Sequence, residues 1–269
     1  MGLKESSYYQ WRARYEKSLK KRKEERRLAV RIGEVFESNK RVYGYRKMQK
    51  ALEKEAIFLS EYSVRKIMRA NGYFPVVVTK YRPSRKGQTD GRFYENRVNQ
   101  EFKARSLNCI WTGDITYIKT SLGFVYLAAV IDLYNREIVG YSISQTIDTE
   151  LVKTALGNAL ARVGGASAGI VFHSDRGCQY SSKSYQAMLE KHGMIGSMSR
   201  PACPYDNACT ESFFSSAKRE CIYRKKYGSI EEVKSDMFEY IEMFYNRKRI
   251  HASLGYLSPV EYRLSNIAA

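Results

Sequence analysis

Cysteine is scarce and unpaired in this chain of 269 residues. Its five cysteines (Cys109, Cys178, Cys203, Cys209 and Cys221) show no Cys-x-x-Cys spacing and no even count, which disfavours a disulfide framework and points to a reducing compartment. Histidine is scarcer still. His173, His192 and His251 are dispersed, and no spaced cysteine pair lies beside the first two, so a zinc finger is disfavoured and any metal should be held by oxygen. Long apolar runs are missing as well. The longest, Phe124 to Ile131, ends at Asp132, far short of the roughly 20 residues that a membrane-spanning helix needs. The first thirty residues are dense in Lys, Arg and Glu with no apolar stretch, so no secretory signal is expected. Negative charge is in deficit too: 28 Asp and Glu stand against 46 Lys and Arg, for a formal +18. What is present suffices for a folded core, since 43% of the residues are hydrophobic and 13% aromatic. That composition excludes wholesale disorder, and the length suits about two domains of roughly 150 residues each.

The location of the charge is more telling than its total. Residues 1–106 hold 28 Lys and Arg against 12 Asp and Glu, a net +16, whereas residues 107–269 hold 18 against 16, a net +2. A nucleic-acid-binding N-terminal part joined to a nearly neutral domain would show this asymmetry, and so would a merely well-solvated helical arm.

From Tyr8 to Phe36 the pattern is helical, with Leu28, Ile32, Val35 and Phe36 on one face. A second helix is expected over Tyr45 to Lys54. A third should start after Ser60, an N-cap residue, and stop at Asn71-Gly72, a C-cap pair. The short connection between them reads as a helix-turn-helix, in which the second helix enters the major groove. Its outward set is Glu61, Tyr62, Arg65, Lys66 and Arg69. Arg65, Lys66 and Arg69 are therefore candidate DNA contacts, with an ordinary three-helix bundle as the plain alternative. This region is placed at residues 1–78. Residues 79–106 lack periodicity and read as a basic linker.

From Cys109 the pattern turns to strands. Ile110 to Thr120, Phe124 to Leu133 and Ile138 to Ser144 read as a three-stranded antiparallel meander. Next come a helix from about Thr149, the buried strand Ile170 to His173, a helix from about Ser182 and a short strand around Met194 to Ser199. Helices over about Asn207 to Tyr223 and Ile230 to Asn246 follow. This order is that of an α/β, RNase H-like core, a mixed five-stranded sheet with flanking helices, here preceded by the all-α helix-turn-helix region. The core is placed at residues 107–249 and a C-terminal tail at 250–269.

Asp114 interrupts a segment that otherwise reads as a buried strand, which is costly unless the carboxylate pairs or binds a cation. Asp175 follows an apolar strand, at the carboxyl end where open α/β sheets bind ligands. Glu211 falls in the first turn or two of a helix, whose N-terminus tolerates negative charge. Three hard oxygen ligands suit Mg²⁺, and a two-metal site could activate a nucleophile and stabilise the leaving oxygen of phosphoryl transfer. Asp132, Asp148 and Asp206 compete as surface, turn or cap acids. Lys218, seven residues after Glu211, shares its helix face and is a candidate phosphate contact. His173 could serve the site or be a buried structural histidine.

The segments Trp111-Thr-Gly-Asp114-Ile-Thr-Tyr117, His173-Ser-Asp175-Arg-Gly177 and Tyr205-Asp-Asn-Ala-Cys-Thr-Glu211-Ser-Phe-Phe resemble the core of DDE transposases of the insertion sequence 3 family, the second-reading-frame product. The ending from Tyr245-Asn246-Arg247 to His251, with Leu254-Gly255-Tyr256 and Pro259, and the stretch from Tyr43-Gly44-Tyr45-Arg46 to Gly72-Tyr73 are similar to that family too. The resemblance implies that Asp114, Asp175 and Glu211 are the catalytic, metal-binding triad of a Mg²⁺-dependent polynucleotidyl transferase, with Mn²⁺ as a substitute. It implies cleavage at the ends of a mobile element and strand transfer by a 3′-hydroxyl, with double-stranded DNA (terminal inverted repeats and target) as partner. It further implies an upstream-frame partner protein or fusion, and a homo-oligomer on DNA, in a bacterial cytoplasm at the nucleoid. A helix-turn-helix regulator without enzymatic activity and an RNase H-like nuclease or resolvase are the alternative functions.

Overall fold

The structure, a computed structural model, describes residues 5–76, 93–98, 104–165, 167–199 and 208–267. The chain divides into two compact units, Met1–Val76 and Val77–Ala269.

The first unit is three helices: α1 (Glu5–Ser38), α2 (Tyr45–Lys54) and α3 (Glu61–Ala70). Ile32, Val35 and Phe36 of α1 are buried together with Met48 and Leu52 of α2 and Val64 and Met68 of α3. The i, i+4 spacing of these apolar residues thus becomes a shared core. Ser60 caps α3 by accepting the Ser63 N–H at 3.2 Å, a hydrogen bond worth about 1 kcal/mol. The helix ends at Asn71, followed by Gly72 with φ +70°.

The second unit is built on a five-stranded sheet: β1 (Ile110–Thr120), β2 (Gly123–Asp132), β3 (Ile138–Ser144), β4 (Val171–Ser174) and β5 (Ile195–Met198). The strand order is β3-β2-β1-β4-β5, with β1–β2 and β2–β3 antiparallel and β1–β4 and β4–β5 parallel. Helix α4 (Thr149–Arg162) follows β3, and the short α5 (Cys178–Ser181) and α6 (Lys183–Lys191) follow β4. Trp111, Val130, Val139 and Phe172 of the sheet form one core with Leu151, Leu156 and Leu160 of α4 and Tyr185 and Leu189 of α6. Successive strand residues point to opposite faces, so Thr112 turns away from this core. It meets α7 (Ala208–Glu220), whose Thr210 Oγ1 lies 2.5 Å from Thr112 Oγ1. Helix α8 (Ile230–Phe238) runs on as a π-helical stretch, Glu239–Tyr245, and α9 (Pro259–Ile267) ends the described chain.

Two segments differ from what the sequence predicts. Within the stretch read as linker, residues 93–98 pack on the sheet: Val98 is buried, Tyr94 lies against the core, and the Arg97 N–H donates to Ser197 Oγ at 2.9 Å. Aromatic anchors spaced along an aperiodic, basic segment leave no periodic signal to read. The stretch read as a tail is also packed. Leu254 and Ser258 are buried, and Arg263 donates to the buried Glu137 at 2.9 Å.

Asp132 is a structural acid. Its carboxylate accepts the N–H groups of Asn108 at 2.7 Å and Tyr134 at 2.8 Å, yet burial pushes its pKa up to about 6. An acid with a raised pKa favours the folded state below the unfolded value, and that contribution is lost as pH rises through the folded one. Wild type should therefore gain about 2 kcal/mol relative to Asp132→Asn between pH 7 and pH 4, most of the full shift at about 1.4 kcal/mol per pKa unit. Urea unfolding of both proteins across that range measures it, and parallel stability curves would overturn the assignment.

Candidate active site

The sheet register sets two of the acids side by side. Gly113 on β1 pairs with Ser174 on β4, and the next residue on each chain is Asp114 and Asp175. Asp114 is half-buried, and its Oδ1 accepts the Ile115 N–H at 2.8 Å. Asp175 is exposed, one residue past the strand, and its Oδ1 accepts the Gly177 N–H at 2.9 Å, turning the chain into α5. On the core face of β1 stands Tyr180, which the sequence does not single out. Its hydroxyl lies 3.3 Å from where a Cβ on Gly113 would be. Burial raises the Tyr180 pKa well above the usual phenol range, and the charges of Tyr185, Asp114 and Asp175 add to the effect. The phenol thus keeps its proton.

Glu211 lies in the first turn of α7 and is exposed. Its neighbour Thr210 ties that turn to Thr112, two residues before Asp114 on the same face of β1. Lys218, two turns on, is half-buried with its ammonium 4.8 Å from the centre of the Tyr117 ring. Burial pushes its pKa down while Asp114 pulls it up, so the ammonium shares the field of that carboxylate. At the far end of α7, Glu220 accepts Arg249 Nε at 2.8 Å and Nη2 at 2.7 Å, as well as the Tyr240 hydroxyl at 2.8 Å. Tyr245 packs its ring on Phe213 of the same helix at 4.9 Å.

The donor chemistry of Asp114, Asp175 and Glu211 is all carboxylate oxygen, which fits a hard divalent cation. Among the described residues no three His, Cys, Asp or Glu side chains gather into a ready metal cluster. The competing acids have other tasks. Asp132 holds two backbone amides, and Asp148 caps α4 by accepting the Leu151 N–H at 2.9 Å, with hydrogen bonds to Thr146 and Leu151 holding its pKa low. Asp206 and Cys203 lie outside the described residues, as does Asn207, expected at the start of α7. Cys209, two residues before Glu211, takes a hydrogen bond from Arg136. No helix of the described residues is long and apolar enough to cross a membrane.

In the first unit, Arg65, Lys66 and Arg69 are exposed on the outer face of α3 and line an open depression with Tyr62 and Ala70. The Arg65 guanidinium lies over the Tyr45 ring, 5.7 Å from its centre.

A mixed sheet of this order, with one acid midway along β1, a second just past the end of neighbouring β4 and a third on a helix tethered to β1, defines the integrase core class of DNA-processing proteins. Residues 104–204 and 211–267 match the integrase core domain, and residues 23–81 match an HTH-like domain. Among solved structures, a chain of the simian T-cell lymphotropic virus intasome in complex with PP2A regulatory subunit B56 gamma has the same fold. Its TM-score is 0.51 at 14% identity, over 80% of this chain and 70% of that one. Transposase InsF for insertion sequence IS3A of Escherichia coli (strain K12) is 38% identical over 87% of this chain and 81% of its own length. The transposase for insertion sequence element IS904 of Lactococcus lactis is 38% identical over 89% and 94%. The chain belongs to the insertion sequence 3 family of DNA transposases.

Proposed function

We propose that this transposase binds the double-stranded ends of its own mobile element through α3, and that Asp114, Asp175 and Glu211 serve cation-dependent cleavage and strand transfer of those ends. The observation that carries this reading is the β1–β4 register, which sets Asp114 beside Asp175 while the Thr112–Thr210 contact holds the helix of Glu211 to the same strand. The three acids would hold Mg²⁺, or Mn²⁺ in its place, and the bound cation would supply Lewis-acid stabilisation of charge on the phosphate. The chain's own groups do the rest. Lys218 offers a cation to a phosphate oxygen next to Asp114. Arg65, Lys66 and Arg69 meet the duplex. Joining two ends in one reaction calls for at least two copies on DNA, and the upstream-frame product is the partner or fusion that would complete end recognition in the bacterial nucleoid.

The test is a gel assay of the purified chain, and of its fusion to the upstream product, on labelled end-bearing DNA with and without Mg²⁺. Joined products only with the cation are expected. Binding without any cleavage would return a regulator, and hydrolysis without joining a nuclease or resolvase; either overturns the proposal.

Salt dependence tests the basic face. Each phosphate that the protein no longer neutralises should flatten the slope of log affinity against log salt by about 0.9, so Arg65→Ala, Lys66→Ala and Arg69→Ala combined should flatten it by about 2 or more. Fluorescence anisotropy on end DNA reads the slope, and an unchanged slope removes α3 from the interface.

A further inference from the structure

We propose that His173 is a positioning residue that ties residues 93–98, which lie in sequence between the helical unit and the sheet, to the strand end carrying Asp175. His173 is fully buried on β4 and bridges to β5 through both ring nitrogens. Its Nδ1 lies 2.9 Å from Ser197 Oγ and its Nε2 3.2 Å from Ser199 Oγ. The direction of each bond follows from the donors available. Ser199 Oγ spends its proton on the Ser174 carbonyl at 3.3 Å, so it accepts from the imidazole, and the ring carries its hydrogen on Nε2. Nδ1 is then an acceptor, Ser197 donates to it, and the Ser197 oxygen accepts the Arg97 N–H at 2.9 Å. One neutral tautomer completes the whole chain: Arg97 N–H to Ser197, Ser197 to His173, His173 to Ser199, and Ser199 to the Ser174 carbonyl. The residue after Ser174 is Asp175, whose own carbonyl accepts the Ser174 hydroxyl at 3.0 Å.

Two interactions reinforce this link from the other side. Arg176, next to Asp175, donates through Nε to the Ser199 carbonyl at 2.9 Å and places its guanidinium 4.7 Å from the centre of the Phe93 ring. Tyr94 lies so close to β5 that a Cβ on Gly196 would collide with its ring. The segment is therefore fastened at Phe93, Tyr94 and Arg97, and two of those fastenings, at Phe93 and Arg97, lead to the residues flanking Asp175. Seating the segment sets the place of the Asp175 carboxylate.

The role in the reaction rests on the proposed function, but the positioning can be read without activity. Gly177 N–H donates to Asp175 Oδ1, so exchange of that amide reports where the carboxylate is, and exchange of the Arg97 amide reports whether the segment is seated. In the full chain, Ser197→Ala should speed exchange at both amides about tenfold, as expected for losing a net hydrogen bond. It should also lower the joining rate at saturating DNA by about tenfold or more through the displaced carboxylate, with end-binding affinity within about twofold. The two His173 variants divide the chain. His173→Gln reaches the Nε2 position and cuts the chain between Ser197 and the ring; Ser197 Oγ still accepts the Arg97 N–H, so Arg97 should stay protected while Gly177 exchange rises. His173→Asn reaches the Nδ1 position and should keep Arg97 protected while Gly177 exchange rises. Faster exchange at Arg97 with none at Gly177 in Ser197→Ala would overturn the proposal, as would unchanged exchange at Arg97. If exchange moves as expected and wild type joins no DNA, the positioning stands and the strand-transfer reading falls.

Discussion

Asp114→Asn is expected to lower strand transfer by at least about a thousandfold, about 4 kcal/mol of transition-state stabilisation, while leaving end binding and folding nearly unchanged. Asparagine keeps the shape, and its oxygen can still accept the Ile115 N–H at 2.8 Å. What it removes is one negative charge beside Asp175. That halves the anionic field of the adjacent pair, on which affinity for a hard cation depends. It also takes from Lys218 the carboxylate that raises its pKa, so the lysine should become easier to deprotonate. Glu211→Gln should lose joining to a similar degree with a smaller effect on Lys218, because that lysine's field includes Asp114 and not Glu211. Joining, end binding and thermal unfolding of the three proteins measure this. Full strand transfer in Asp114→Asn would remove that residue from the chemistry.

Arg249→Ala should destabilise the second unit by about 3–5 kcal/mol, because it leaves a buried carboxylate uncompensated. Glu220 and Arg249 are joined by two hydrogen bonds in a nearly dry setting, their side chains only 11% and 10% exposed. Burial works against the arginine's charge, but the hydrogen bonds and charge of Glu220 raise its pKa regardless. For a unit of this size the destabilisation corresponds to a fall in Tm on the order of 10 °C. The double variant Glu220→Leu/Arg249→Met should recover most of it, since an apolar pair of similar volume avoids the desolvation cost. Urea unfolding of the singles and the double gives the coupling. A double variant no better than the worse single would mean that the pair's geometry, rather than its charge, is what the fold requires.

The pattern of sequence legibility follows from periodicity. The meander, the order of helices and strands, the Ser60 cap and the Asn71-Gly72 stop are readable because apolar spacing and cap chemistry are local. Asp114 and Asp175 are readable because a carboxylate inside or just beyond an apolar strand is costly without a purpose. Tyr180 is not, since a tyrosine after a turn looks like any core aromatic, and only the fold sets its hydroxyl against Gly113, the residue before Asp114. The packing of residues 93–98 is illegible for a similar reason. Phe93, Tyr94 and Arg97 find their partners about a hundred residues away, on the β4–β5 side, and nothing in their own spacing announces it. The ending from Tyr245 to His251 is legible only as a resemblance. Its physical reason is that it braces α7 through Glu220 and Phe213.

Asn246, in that same ending, does something for the sheet as a whole. Its side chain accepts the Ile138 N–H and donates to the Ile138 carbonyl, both at 3.0 Å. Ile138 begins β3, an outer strand of the sheet. One amide thus imitates the pairing that a sixth strand would make and occupies the groups a foreign strand would seek. An open sheet edge invites runaway strand-to-strand polymerisation, and here a single side chain spoils the template where it begins.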